Sequence, residues 1–352
     1  MAALASHKRR TRIEIWASSQ GGQWFDTSPC QAGSSCAKVG LVALLEGWEM
    51  ARKTMDWEPW VGRVAEAVDF YRREFGVRPL IRMVFYHLTK FGLANTTYAY
   101  KYLDRLLVKA RRDGRLPWGA FAEDKERQPG GGDYYYETIE EAIERGLDYL
   151  WNLPDTYHLP IWWGQDTEVL VMVEKAGERD VFVSLTRNWD VLVAPCRGYG
   201  AWESLKSVVD RVKGREVAVF YFGDFDPSGN DIPRFVEDAF NALGLVPKEF
   251  TKLGVTKEQI DRFSLPHKPE DEKEIKKLLR DPRYKKWPYG LFRVEMEALL
   301  GTAPDYVRDL LDENIGRYFN SERRQGALAE EEGLRQELRS RTDELKRKLT
   351  GD

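Results

Sequence analysis

The sequence predicts an α/β protein, with a parallel sheet flanked by helices in its second half and a smaller, mostly helical region before it. Three observations carry this. Short apolar runs at Val169–Val173, Val191–Ala194 and Val217–Phe222 read as strands buried on both faces. A helical stretch, Ala201–Val212, separates two of them, as in βαβ units. Upstream, apolar residues recur at helical spacing instead.

Residues 1–60 form an unassigned N-terminal extension, in which Ser18–Gly22 and Gly33–Ser35 read as loops and Val39–Met55 as a helix. From Pro79, the spacing of Leu80, Val84, Phe85, Leu88 and Phe91 predicts a helix stopped by Gly92. Asn95-Thr96-Thr97 is a cap signal for a second helix to about Arg112. Its apolar face holds Tyr98, Tyr102, Leu103, Leu106 and Leu107, and Gly114 ends it. With a strand or wing expected at Leu116–Ala122, residues 61–128 read as a winged-helix DNA-binding domain. Pro129–Gly132 is the clearest hinge, opening a hinge and linker-helix region over 129–160. There Thr138 and Glu141 form a capping box for a helix that turns Ile139, Ala142, Ile143 and Leu147 inward. The sheet domain follows over 161–300. The tail, 301–352, is helical and highly charged from Ser321 to Lys348, a solvated or partner-contact helix.

The 352 residues suffice for two cores, and 42% apolar with 32% charged residues read as soluble and globular. No apolar run approaches the roughly 18 residues of a membrane span, and Met1–Arg12 lacks a signal-peptide core. The expectation is a cytoplasmic protein without membrane contact. Cys30, Cys36 and Cys196 match neither a disulfide framework nor a zinc knuckle. A net charge of −3 does not decide for or against nucleic acid.

The chemistry concentrates at strand ends. Asp224 and Asp226, two residues apart, close the strand Val217–Phe222, and Glu174 closes the strand Val169–Val173. Ligands of parallel sheets sit at the carboxyl ends of strands. Asp-Pro-Ser-Gly alone is only a good turn. Carboxylates ending two buried strands, however, would repel one another unless a cation joined them. An all-oxygen set suits magnesium, or manganese, better than zinc.

Val173-Glu174-Lys175, Cys196-Arg197-Gly198-Tyr199-Gly200 and Gly223-Asp224-Phe225-Asp226-Pro227-Ser228-Gly229 together resemble a Toprim domain, the magnesium-binding module of topoisomerases, primases and some nucleases. With Arg82-Met-Val-Phe85-Tyr86, the chain is similar, from about Pro79 to Leu243, to the family of topoisomerase VI A subunits and the meiotic double-strand-break protein. Arg293-Val-Glu295-Met-Glu297-Ala298-Leu299 resembles a further motif of bacterial and viral members. Ser228 departs from the family's usual tyrosine. The resemblance implies a winged helix before a Rossmann-like Toprim domain, with Glu174, Asp224 and Asp226 holding magnesium. It also implies Tyr86 as nucleophile, Arg82 as its electrostatic assistant, and a homodimer that breaks double-stranded DNA through a 5′-phosphotyrosyl link. No ATPase signature occurs in the sequence, so strand passage would need a separate ATPase subunit.

Read from its surroundings alone, Tyr86 is a core aromatic beside Phe85. Residues 82–115 carry eight Lys/Arg against two acidic residues, and Arg105, Lys109, Arg111 and Arg112 are the candidate DNA contacts. Three alternatives stay open: a hydrolytic Toprim DNA nuclease without a covalent intermediate, a primase-like nucleotidyl transferase, and a non-catalytic DNA-binding subunit.

Overall fold

The computed structural model describes residues 58–122, 138–196, 202–269 and 271–350. The hinge at Pro129–Gly132, the Val39–Met55 helix, Cys30, Cys36 and Arg197–Gly200 lie outside them. Glu58–Asp352 form one compact unit.

Three helices come first: α1 (Glu58–Phe75), α2 (Ile81–Thr89) and α3 (Thr97–Arg112). The cap at Thr96 is real, since its side chain accepts a hydrogen bond from the Ala99 amide. Helix α2 stops at Thr89, leaving Phe91 53% exposed instead of on a buried face. The strand or wing expected at Leu116–Ala122 does not form. Pro117 cannot donate to a ladder, and Trp118–Ala120 makes a 3₁₀ turn. Helix α4 (Ile139–Thr156) starts at Thr138, which accepts from the Glu141 amide. Its first turns point outward, contrary to expectation, with Ile139 75% and Ile143 56% exposed. The ties to the last helix lie at its other end. Asp155 pairs with Arg339, and the Tyr157 carbonyl accepts from Arg335.

The strands β1 (Thr167–Val173), β2 (Leu192–Pro195), β3 (Glu216–Phe222) and β4 (Glu249–Gly254) form a wholly parallel sheet in the order β2-β1-β3-β4. The first three match the apolar runs. β4 was invisible to that criterion because, as an edge strand, it buries only its last two residues. Helices α5 (Arg179–Leu185), α6 (Trp202–Arg211) and α7 (Ile232–Ala242) connect the strands. On one face Leu170, Val219 and Tyr221 pack with Leu205, Val208 and Phe240 of α6 and α7. On the other, Phe182 of α5 meets Phe222, ring centroids 4.7 Å apart. Cover on both faces is why β1 and β3 are apolar at nearly every position.

The chain leaves β1 toward β2 on one side and resumes at β3 on the other, so a topological switch point lies between β1 and β3. Val173 is in register with Phe222, and the two strands end level.

After β4 come α8 (Lys257–Phe263), α9 (Glu272–Arg280), α10 (Met296–Thr302), α11 (Pro304–Gly316) and the long α12 (Ser321–Thr350). Helix α10 packs closely on α2. A Cβ at Gly301 would lie 2.5 Å from the Met83 carbonyl oxygen, so only glycine permits that approach. Tyr71 of α1 donates to the Gly301 carbonyl at 3.2 Å. The helical region and the sheet region are thereby joined through α10. Among the described residues, no helix is long and apolar enough to cross a membrane.

Candidate metal centre

Glu174 and the Asp224–Gly229 turn occupy the switch point. The Glu174 amide donates to the Phe222 carbonyl at 2.9 Å, continuing the ladder one residue past β1. Its Oε2 accepts from the Asp224 amide at 3.0 Å and the Tyr221 hydroxyl at 3.3 Å. Asp226 Oδ1 accepts from the Gly229 amide at 2.7 Å, closing the turn. Glycine at 229 is obligatory. A Cβ would lie 2.2 Å from the Asp224 carbonyl oxygen and 2.9 Å from Glu174 Oε2.

Asp224 looks the other way. Its Oδ1 accepts from Lys175 Nζ at 2.9 Å and from the Met296 amide at 2.9 Å. The second contact exists because Phe225 and Val294 form an antiparallel bridge that draws the 293–297 segment against the turn. This segment brings Glu297, whose Oε2 accepts from Lys175 Nζ at 2.7 Å, while Glu178 Oε1 lies 3.5 Å from the same ammonium. Glu178, Asp224 and Glu297 are all buried, and their nearest oxygens lie within 4.8 Å of one another. Glu174, Asp224 and Asp226 are not gathered that tightly. Asp224 belongs to both groups.

The tight triad has a cation already, the Lys175 ammonium. Burial works against that charge, yet Asp224, Glu297 and Glu178 raise its pKa well above the ordinary lysine value. Burial also raises Glu178 well above the carboxylate range, against the pull of Lys175. Around Glu174 the balance is different. Burial, and then the charges of Asp224 and Asp226, push its carboxyl up to about 7. Lys252 of β4 comes near but spends its hydrogen bonds on neutral acceptors: the carbonyls of Asp224 (3.0 Å) and Gly229 (3.1 Å) and Asn230 Oδ1 (2.7 Å). Burial lowers its pKa to about 8, against the pull of Glu174, Asp226 and Asp224. Lys252 therefore braces both ends of the turn that carries Asp226.

One oxygen each of Glu174 (Oε1), Asp224 (Oδ2) and Asp226 (Oδ2) has no hydrogen-bond partner among the described residues. These are hard oxygen donors at adjacent strand ends, of the kind that could hold a metal ion.

Tyr86 is fully buried in α2. Its hydroxyl donates to Glu295 Oε2 at 2.8 Å, an oxygen that Arg82 Nη1 also meets at 2.5 Å. Lys268 lies 3.2 Å from Oε1 of the same carboxylate. Burial opposes the Glu295 charge, but Lys175, Arg82 and Lys268 outweigh it and hold the carboxyl at about 2. Burial, then Glu295, raises the Tyr86 phenol above its ordinary value. Arg82 also lies over the Tyr100 ring, 4.3 Å from its centroid. The expected pair Arg82 and Tyr86 is thus brought together, but around Glu295.

Arg105, Lys109 and Arg112 form an exposed stripe along α3. Arg111 does not join it, since its guanidinium lies over Phe121 at 4.9 Å and is half-buried. Glu178 escaped the sequence reading. The only available signal was its place four residues beyond Glu174, which does not by itself distinguish a buried carboxylate from a solvated one. Comparison of the sequence with protein-family models and with curated proteins found no match.

Proposed function

We propose that this protein cleaves phosphodiester bonds in double-stranded DNA with a divalent ion, magnesium or manganese, held by Glu174, Asp224 and Asp226. The observation that carries the reading is the position of these carboxylates just past the carboxyl ends of β1 and β3, at the switch point, each with one oxygen unengaged among the described residues. The ion would supply positive charge to the scissile phosphate and its leaving oxygen. Lys252 fixes the turn that presents Asp226, and Tyr221 and the Asp224 amide orient Glu174. The exposed stripe of α3 would hold the duplex through phosphate contacts, which position without reading sequence. A DNA-binding helical unit before the sheet and a Toprim assignment of the sheet domain belong to the same proposal. So do the homodimer and the separate ATPase subunit that the resemblance implies.

The surroundings of Tyr86 favour water over the tyrosine as the attacking group. Its ring is fully buried and its proton is committed to an ionised Glu295, so attack by its oxygen requires Tyr86 to leave that carboxylate first. Hydrolysis is therefore the reading preferred, and tyrosyl transesterification the second. Supercoiled plasmid incubated with magnesium, then treated with protease before electrophoresis, separates them. Hydrolysis predicts near-normal cutting by Tyr86→Phe and free 5′-phosphate ends. Loss of cutting by orders of magnitude in that variant, with protein-linked ends in the wild type, would establish the tyrosyl route. Full cutting by a folded Asp226→Asn protein would overturn the metal site under either reading.

A further inference from the structure

A cleft of about 770 Å³ opens beside the Asp226 turn, between the start of α7 and the segment 282–289. Asn230 belongs to its wall and is also the residue that Lys252 grips, so the cleft adjoins the candidate metal centre directly. The opposite wall carries Trp287 and Tyr289. Their ring centroids lie 5.0 Å apart, and each lies 5.0 Å from that of Phe225, the residue between the two aspartates. Phe225 is buried and anchors this aromatic group from below, while Tyr289 is 37% exposed. The indole Nε1 of Trp287 is buried with no hydrogen-bond partner among the described residues.

The cleft also holds Arg234, Arg283 and Lys286. Two of these charges are answered in place. Arg234 pairs with Asp231 and Asp238, and Arg283 with Asp281. Lys286 is exposed and has no ion pair among the described residues. The surface therefore offers aromatic faces with a single available cation, not a strongly basic groove. Aromatic faces bind bases by stacking whatever the sequence, and a nearby cation takes the phosphate.

We propose that this cleft binds an unpaired nucleotide of the strand leading to the Asp226 site, its base against Tyr289 and Trp287 and its phosphate toward Lys286. The inference rests on the proposed cleavage of nucleic acid. It adds that the substrate has single-stranded character next to the scissile bond. Because stacking dominates, single-strand binding should depend weakly on salt. One neutralised phosphate contributes a slope of only about −0.7, far less than a multi-contact duplex footprint.

Fluorescence anisotropy of the full chain in EDTA, with a labelled oligothymidine and a labelled duplex as probes, tests this apart from any cleavage. Tyr289→Ala should weaken oligothymidine binding about tenfold, with under about a twofold change for duplex, and Tyr289→Phe should retain wild-type affinity. Lys286→Glu, at an exposed position that cannot disturb the core, should weaken single-strand binding severalfold. No oligothymidine binding by the wild type, unchanged binding by Lys286→Glu, or equal losses for single strand and duplex in Tyr289→Ala would overturn the proposal. Free thymidine monophosphate serves as competitor. Displacement of the oligonucleotide at similar concentrations of monomer would mean a mononucleotide pocket and would equally overturn the strand assignment. Failure of the cleavage reading would look different: a wild type that binds oligothymidine through Tyr289 but cuts no DNA with magnesium.

Discussion

Asp224 joins two acidic clusters that differ in one respect. The cluster of Glu178, Asp224 and Glu297 surrounds Lys175, a cation tethered by the chain itself. In the cluster of Glu174, Asp224 and Asp226 that ion pair reaches Asp224 alone: among the described residues Glu174 and Asp226 have only hydrogen bonds, from amides and a phenol. The three carboxylates around Lys175 are buried, whereas Glu174 and Asp226 are half-buried, and the two groups have opposite needs. The first group is an internal ion cluster whose partial neutralisation ties 293–297 to the strand ends. In the second, Glu174 and Asp226 have no ion pair among the described residues, the condition in which an external cation stabilises a fold. On the proposed reading, close packing of acidic oxygens does not by itself mark the metal site. The tightest triad is the one already supplied with a cation.

The largest effect, on binding and stability together, should come from Asp224, which serves both clusters. Asp224→Ala removes one of the three carboxylates around Lys175 and leaves the Met296 amide without its acceptor, and should cost about 1–3 kcal/mol in urea unfolding as well as eliminating magnesium binding by calorimetry. Asp226→Asn should eliminate magnesium binding equally but leave the unfolding midpoint almost unchanged. Equal destabilisation by the two would erase the distinction between the clusters.

Lys175→Met sharpens the same contrast. Three buried carboxylates would lose their ammonium, at a cost of about 3–5 kcal/mol in EDTA. Magnesium should then raise the melting temperature of the variant more than that of the wild type, because the vacated triad becomes a second cation site. Equal magnesium shifts in both proteins would count against a tethered cation.

Glu174 gives a smaller, pH-dependent effect. Its folded pKa of about 7 lies above that of an unfolded glutamate, so its contribution is full at pH 4 and is lost as pH rises toward and through 7. In EDTA the wild type should lose on the order of 1–2 kcal/mol across that window relative to Glu174→Gln. Magnesium should reverse the loss, since it favours the ionised form. Parallel pH–stability curves in EDTA would refute this account of the open cluster.

The smallest effect on stability is expected far from both clusters. Joint replacement of Arg105, Lys109 and Arg112 by alanine should change stability by no more than about 0.5 kcal/mol per site. It should also lower the duplex salt slope by up to about 3. Adding Arg111→Ala should cost more stability than any of these, through lost packing on Phe121. A triple variant with altered magnesium affinity would show that the clusters are not the local devices described above.

The sequence by itself determined the parallel sheet, three of its strands, the caps at Thr96 and Thr138, and the placement of Glu174, Asp224 and Asp226 at strand ends. These follow from local rules: a strand buried on both faces must be apolar throughout, and a turn or cap is specified within a few residues. Tertiary structure alone decided the rest. Periodicity shows that a helix has an apolar face but not what covers it. The outward turn of Ile139 and Ile143, the contact of Gly301 with α2 and the engagement of Tyr86 by Glu295 were therefore not legible. The Phe225–Val294 bridge joins segments about seventy residues apart and places Glu297 on Lys175. Which carboxylate meets a cation depends on such long-range pairings, because charge interactions act through space and leave no periodic trace along the chain.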